Sequence, residues 1–289
     1  MNLRQIEAFR AVMISGTVRG AAELLHVSEP AVSKLLSLAE RRAGIRLFDR
    51  SRGRLVPTPE ARTLYQEVDF LWRRVERVRD TVKALSNPSA ASLSLTLSPS
   101  IALLVPPVVN ELYREIPELN CRVTVEAPHE LVAEVAEGVA DVGVALAPPE
   151  HPGLIEVARY QCGLVCVMPD SHPLAKRRLV RNTDLGGHRL ITIARTSGVL
   201  EQTFAELKVG MELRSGPICC WFVQAGVGVA LVDAATIAGQ SYAGIVARPF
   251  VPSPQIEVLV LRNATRPLSR TAERFCRLFD GVWKKQVGR

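Results

Sequence analysis

The chain carries no G-x-x-x-x-G-K phosphate loop and no G-x-S-x-G nucleophile elbow, so two widespread catalytic scaffolds have no foothold in it. Gly226-Val227-Gly228 begins like a dinucleotide fingerprint. However, Leu231 stands where the third glycine belongs, and the segment precedes a predicted strand instead of following one. These absences argue against an enzyme. A secretory leader and a membrane-length apolar run are also missing, so a cytoplasmic setting with reduced thiols and no membrane partner is expected. The six cysteines are Cys121, Cys162, Cys166, Cys219, Cys220 and Cys276, and none of their spacings suits a metal. No metal and no cofactor is therefore expected. Cys162 and Cys166 are read as sharing one face of a single strand, and Cys219 and Cys220 as neighbours on a helix. Buried inert thiols are the commoner outcome for such residues.

What the chain does have is charge, concentrated at one end. Residues 1–87 hold 16 Lys and Arg against 10 Asp and Glu, a net +6, while residues 88–289 hold 20 against 19. A localised basic excess is the electrostatic footprint of a nucleic-acid-binding domain.

Inside that basic third, Leu3, Ile6, Phe9 and Val12 space the apolar face of one helix, which Ser15-Gly16 stops. Thr17 is placed to cap a second helix, with Ala21, Leu24 and Leu25 inward. Ser28 then caps a third, with Pro30 in its first turn. Val32, Leu35, Leu36 and Ala39 of that helix point inward. Two short helices joined by a tight turn read as a helix-turn-helix, whose second helix enters the DNA major groove. The candidate DNA-contacting residues are Ser28, Glu29, Pro30, Ser33, Lys34, Ser37 and Arg41, a face suited to phosphates and base edges. Arg50, Arg52 and Arg54 flank Gly53 in what reads as a small wing that reaches the backbone or a minor groove. The alternative for both segments is a solvated surface.

Pro59 opens a long predicted helix running to about Leu85. Ala61, Leu64, Val68, Leu71, Val75, Val78, Val82 and Leu85 recur at spacings of three and four, which is a heptad seam. Leu64, Val68, Leu71, Val75 and Val78 are the candidate dimerisation residues. Heptads alone leave the helix orientation open, and packing within the chain's own domain is the alternative. The sequence thus divides into 1–58 (DNA-binding), 59–87 (linker helix), 88–92 (a hinge rich in small residues) and 93–289.

Beyond the hinge the pattern alternates. Strands at Leu93–Leu97, Cys121–Val125 and Asp141–Leu146 enclose two helices, which predicts a parallel α/β layer. A second α/β unit starts near Cys162. Ligands in such sheets sit beyond the carboxyl ends of strands or between two units. Ser98-Pro99-Ser100 and Thr196-Ser197 each lead from a strand into a helix, and Pro128-His129-Glu130 does likewise. Hydroxyl-bearing helix N-termini favour anions, so Ser98, Ser100, Thr196 and Ser197 read as a carboxylate clamp, with Glu130 a candidate for an ammonium. Plain N-caps are the alternative for each.

Taken together, these residues resemble the LysR-type transcriptional regulators along essentially the whole chain. The specific part of the match is Ala21-Ala22-Glu23-Leu24-Leu25, Ser28 to Lys34, Leu38 to Glu40, Gly44 to Arg50 and Leu55 to Pro59. The effector half is echoed in Gly138–Gly143, His172-Pro173-Leu174 and Val223–Ala230. The resemblance implies a winged helix-turn-helix, a dimerising linker helix and a two-subdomain effector domain like the periplasmic binding proteins. It implies subdomain I at about 93–161 and 263–289, and subdomain II at about 162–262. Pro99, His129 and Gly226 then join the expected effector-binding residues. The implied function is sequence-specific binding to double-stranded DNA, switched by a small-molecule coinducer, in a homodimer or homotetramer that works with RNA polymerase. The stretch Val229–Thr236 is similar to regulators that respond to lysine, arginine or opines, so a carboxylate or amino-acid-like coinducer is expected. A thiol-based redox-sensing regulator of the same architecture is the alternative. Glu29 and Lys34 depart from the residues frequent in the family, Gln and Arg, so its half-site sequence does not transfer unaltered.

Overall fold

The computed structural model describes residues 1–51, 54–86, 91–194 and 198–288. They form two compact units, Met1–Val82 and Lys83–Arg289.

The first unit contains α1 (Leu3–Ser15), α2 (Val18–Leu25), α3 (Glu29–Ala43), β1 (Phe48–Ser51), β2 (Arg54–Pro57) and α4 (Pro59–Ser86), which continues past its boundary. Local signals set the helix ends. Asn2 and Gln5 form a reciprocal capping box on α1, and Gly16 ends it at φ 70°. The Thr17 hydroxyl accepts from the Gly20 N–H at 3.0 Å at the start of α2. The core is Phe9, Val12, Ala21, Ala22, Val32, Leu36, Ala39 and Leu47. On α2 the inward residues are Ala21 and Ala22, while Leu24, and Leu3 on α1, both expected inside, are exposed. β1 and β2 pair antiparallel, Phe48 opposite Pro57. Glu40 fixes this hairpin to α3 by accepting from the Leu47 and Phe48 N–H groups at 2.8 and 3.2 Å.

α4 divides lengthwise. Ala61 and Val68 are buried in this same core, with Leu64 and Tyr65 packed against it. The first half of the heptad seam therefore faces its own domain, which corrects the assignment of Leu64 and Val68 to a dimer seam. Leu71, Val78 and Val82 are exposed. Arg10 pins α4 to α1, bonding Asp69 at 3.3 Å and lying 5.2 Å from the Trp72 ring centre.

The second unit is built from β3 (Ser92–Leu97), α5 (Pro99–Ala102), α6 (Pro106–Glu115), β4 (Asn120–Val125), α7 (Pro128–Ala136), β5 (Val142–Leu146), β6 (Leu154–Cys162), β7 (Leu164–Pro169), β8 (Val180–Arg181), β9 (Leu190–Ile193), α8 (Gly198–Ala205), β10 (Val209–Leu213), α9 (Gly216–Gln224), β11 (Val229–Asp233), α10 (Ala234–Ala238), β12 (Ile245–Val251), β13 (Ile256–Asn263) and α11 (Arg270–Gln286). One sheet runs β4-β3-β5-β13-β6 and the other β10-β9-β11-β7-β12-β8. Each is mixed, although the strands read as one parallel layer, β3, β4 and β5, do run parallel. β13 is antiparallel to both β5 and β6. Because β13 lies in the first sheet, the chain returns to subdomain I before Ile256, not at residue 263. β6 ends at Cys162 in the first sheet and β7 carries Cys166 in the second, so these two cysteines do not share a strand.

The central strands β5 and β11 are buried at every position, which is why they read as unbroken apolar runs. Leu93, Leu95 and Leu97 of β3 join the core of Phe275, Phe279 and Trp283 from α11. α7 covers the other face with Leu131 and Val135. It passes so close that a Cβ on Gly143 would stand 2.6 Å from Val135 Cγ2, so only glycine fits there.

Candidate DNA interface and ligand cleft

The turn into α3 passes through His26, held at φ 53°, then Val27 and Ser28. Ser28 has extended backbone at the N-cap but makes no side-chain capping bond, leaving its hydroxyl for another partner. Glu29, Pro30, Lys34, Ser37 and Arg41 are exposed along α3, and Ser33 is half-buried beside them. Val32, Leu36 and Ala39 bury the opposite side. The structure thus brings together the whole predicted recognition face on one side of one helix. Glu29 sits in the first turn of α3, where an acid suits the helix dipole. Arg50 and Arg54 lie on the paired strands β1 and β2, and Arg52 lies outside the described residues.

The C-terminal unit contains a cleft between the two sheets. Its inner compartment is lined by Ser98, Pro99, Ser100, Pro128, Leu146, Ile193, Ala194, Arg214, Gly216 and Asp233, and has a volume of about 40 Å³. An outer compartment of about 440 Å³ shares Pro128, Ala194 and Arg214 with it and adds His129, Glu130 and Glu212. Topology explains the location. β3, β5, β9 and β11 all end here, and the turns after them carry the lining residues.

Ser98 Oγ accepts from the Leu146 N–H at 3.0 Å, which ties the end of β3 to β5 and leaves the serine proton to give. Ser100 lies beside Asp233 in the wall of this compartment. Asp233 accepts from the Thr236 N–H at 3.0 Å and the Thr236 hydroxyl at 3.1 Å, capping α10. Burial pushes the Asp233 carboxyl up from the ordinary range, against the pull of these donors.

Of the expected effector residues, Ser98, Pro99 and Ser100 line the inner compartment, and His129 and Glu130 the outer one. Thr196 and Ser197 lie outside the described residues. Gly226 stands at φ 75° just past the end of α9 and lines neither compartment; its part is to end a helix. Asp233 and Arg214 were not singled out as site residues from sequence. The available signal was an acid at the end of an apolar strand, three residues before Thr236, which is a helix-cap spacing.

The cysteines do not gather into a reactive centre. Cys162, Cys166, Cys219 and Cys220 are buried, and burial pushes Cys166, Cys219 and Cys220 up to about 12. Among the described residues no group of His, Cys, Asp and Glu could hold a metal ion. Among them, too, no helix is long and apolar enough to cross a membrane.

Comparison with known proteins gives two family matches. Residues 3–62 match the bacterial regulatory helix-turn-helix protein, lysR family, and residues 86–284 match the LysR substrate binding domain. The transcriptional activator protein LysR of Escherichia coli (strain K12) is 30% identical over 283 residues, covering 95% of this chain and 91% of that protein. The octopine catabolism/uptake operon regulatory protein OccR of Rhizobium meliloti is 31% identical over 288 residues, covering 97% and 95%. The crystal structure of CbnR, a LysR family transcriptional regulator, superposes with a TM-score of 0.75 at 18% identity, covering 98% of this chain and 99% of that one.

Proposed function

Because the chain belongs to the lysR family of bacterial helix-turn-helix regulators, we propose that its DNA binding is switched by a small carboxylate or amino-acid-like coinducer held in the cleft between the two sheets. The chain is a DNA-binding transcriptional regulator with a coinducer-binding domain. The proposal adds where each task is done. α3 reads the operator through Ser33, Lys34, Ser37 and Arg41, with Ser28, Glu29 and Pro30 at its leading end. Arg50, Arg52 and Arg54 of the wing add phosphate contacts.

One observation carries the ligand reading: buried polar side chains from two separate segments, Ser98 and Ser100 from one and Asp233 from the other, meet around a cavity where four strands end. Ser98 supplies a free hydroxyl proton and Arg214 a cation, which suits a carboxylate. The exposed half of α4, with Leu71 and Val78, supplies pairing to a second copy, and further contacts extend this to a tetramer. The setting is cytoplasmic, RNA polymerase is a partner, no cofactor is needed and the ligand is not turned over. The relatives named above are regulators, not enzymes, which supports that last point.

Thermal-shift screening of the full-length protein against carboxylates and amino acids tests the ligand reading. A compound that binds only the folded state raises its melting temperature. The bound compound should be recovered unchanged. It should also alter the affinity for a duplex selected by the protein from a random pool. A panel in which nothing shifts the melting temperature overturns the ligand class.

A further inference from the structure

The cleft contains a buried acid with no counter-charge. Asp233 is 1% exposed at the end of β11. Its two donors, the Thr236 N–H and the Thr236 hydroxyl, are both neutral. No Lys, Arg or His among the described residues bonds to it. A carboxylate taken out of water without a cation is costly, and burial accordingly pushes Asp233 upward. An arriving cation relieves that cost.

Size adds a second constraint. An inner compartment of about 40 Å³ takes a small polar head group and no more of a ligand. The outer compartment, at about 440 Å³, takes the body of the ligand.

We propose that Asp233 makes an ammonium subsite in the inner compartment, which takes the head group of an amino-acid coinducer: the α-ammonium enters against Asp233 while the carboxylate turns to Ser98 and Arg214, which line the same compartment. This rests on the cleft being the coinducer site. It assigns the ammonium to Asp233 in place of the exposed Glu130, which lines the outer compartment and faces the ligand's body.

The test uses the full-length protein and the twenty standard L-amino acids. Each one that raises the melting temperature is then compared by calorimetry with the same acid lacking its α-ammonium. Such pairs include glutamate against glutarate and ornithine, added to the set, against 5-aminopentanoate. The amino acid should bind about ten- to a hundredfold more tightly than its partner, the usual loss for one hydrogen bond to a charged group. Asp233→Asn keeps the acceptor oxygen but not the charge, so it should bring the two affinities together. If Asp233 merely capped α10, both ligands would weaken equally and their ratio would stay. Should Asp233→Asn fold poorly, the ligand comparison on the unaltered protein needs no variant. Equal binding of both members of each pair overturns the ammonium subsite while leaving the cleft reading intact. Binding of neither, together with no response to simple carboxylates, overturns the cleft reading and this inference with it.

Discussion

The reading face of α3 and the floor of the cleft handle polar side chains in opposite ways. On α3, Lys34, Ser37 and Arg41 stand in water above an apolar core and need no partner until DNA arrives. In the cleft, Ser98 and Asp233 are 2% and 1% exposed, and neighbours satisfy both in advance. The first arrangement is fixed by the period of one helix. The second requires residues about 130 positions apart to meet. A waiting surface tolerates substitution in its fold but not in its binding, whereas a pre-satisfied floor couples the two.

The largest effect should come from α4, where both behaviours occur on one helix. Val68 is 4% exposed in the N-terminal core and Val78 is 64% exposed. Val68→Asp buries an unpaired charge and should cost more than about 3 kcal/mol, unfolding the N-terminal unit. Val78→Asp should leave the melting of that unit unchanged and shift sedimentation towards smaller species. Similar melting losses for both variants would break the division drawn along α4.

Gly216 tests the cleft floor itself. A Cβ there would lie 2.1 Å from Thr236 Oγ1, the hydroxyl that bonds Asp233. Gly216→Ala must displace Thr236 and should cost about 1–3 kcal/mol, read as a lower melting temperature of the C-terminal unit. A melting temperature equal to that of the unaltered protein would mean that the floor is loosely built.

Lys34→Ala removes an exposed cation from the reading face. Operator affinity should fall about tenfold with no change in melting temperature. Anisotropy on the selected duplex at several salt concentrations measures it. An unchanged affinity removes Lys34 from recognition.

The legibility of these regions follows the same contrast. The helix-turn-helix could be read because Thr17, Ser28 and Gly16 punctuate it locally and its apolar period is unbroken. Leu3 and Leu24, both read as inward, are exposed; on α2 a helical stripe marks Leu24 as readily as Ala22, where a small residue makes the contact. β6 was missed because it is an edge strand with Ile155 and Val157 exposed, so burial and hydropathy do not alternate together. The three strands read as a parallel layer, β3, β4 and β5, do run parallel; the antiparallel strand β13 was not placed beside them because it returns from far along the chain to pair with β5 and β6, which no local pattern records. Ser98 and Ser100 were found from the strand-to-helix turn. Asp233 could not be found the same way, because only the fold brings it alongside them.

The smallest expected effect concerns the thiols, and it bears on whether the cleft unit senses oxidation. The reactive form of cysteine is the thiolate. Burial raises Cys166, Cys219 and Cys220 to about 12, raises Cys162 as well, and pushes Cys276 up to about 11. For an acid whose ionisation is pushed upward, the neutral form persists to higher pH. Between pH 7 and 9 these five thiols therefore stay protonated, where an ordinary free cysteine begins to ionise. Cys121 is half-buried and shifted in the same direction. At pH 8, Ellman's reagent should label the native protein slowly at all six positions and label all six promptly once guanidinium unfolds it. Peroxide at concentrations that oxidise free cysteine should change operator affinity by less than about twofold. Fast labelling of one native cysteine, with a matching loss or gain of DNA binding, would show that the fold opens around that thiol. The C-terminal unit would then be sensing oxidation as well as a ligand.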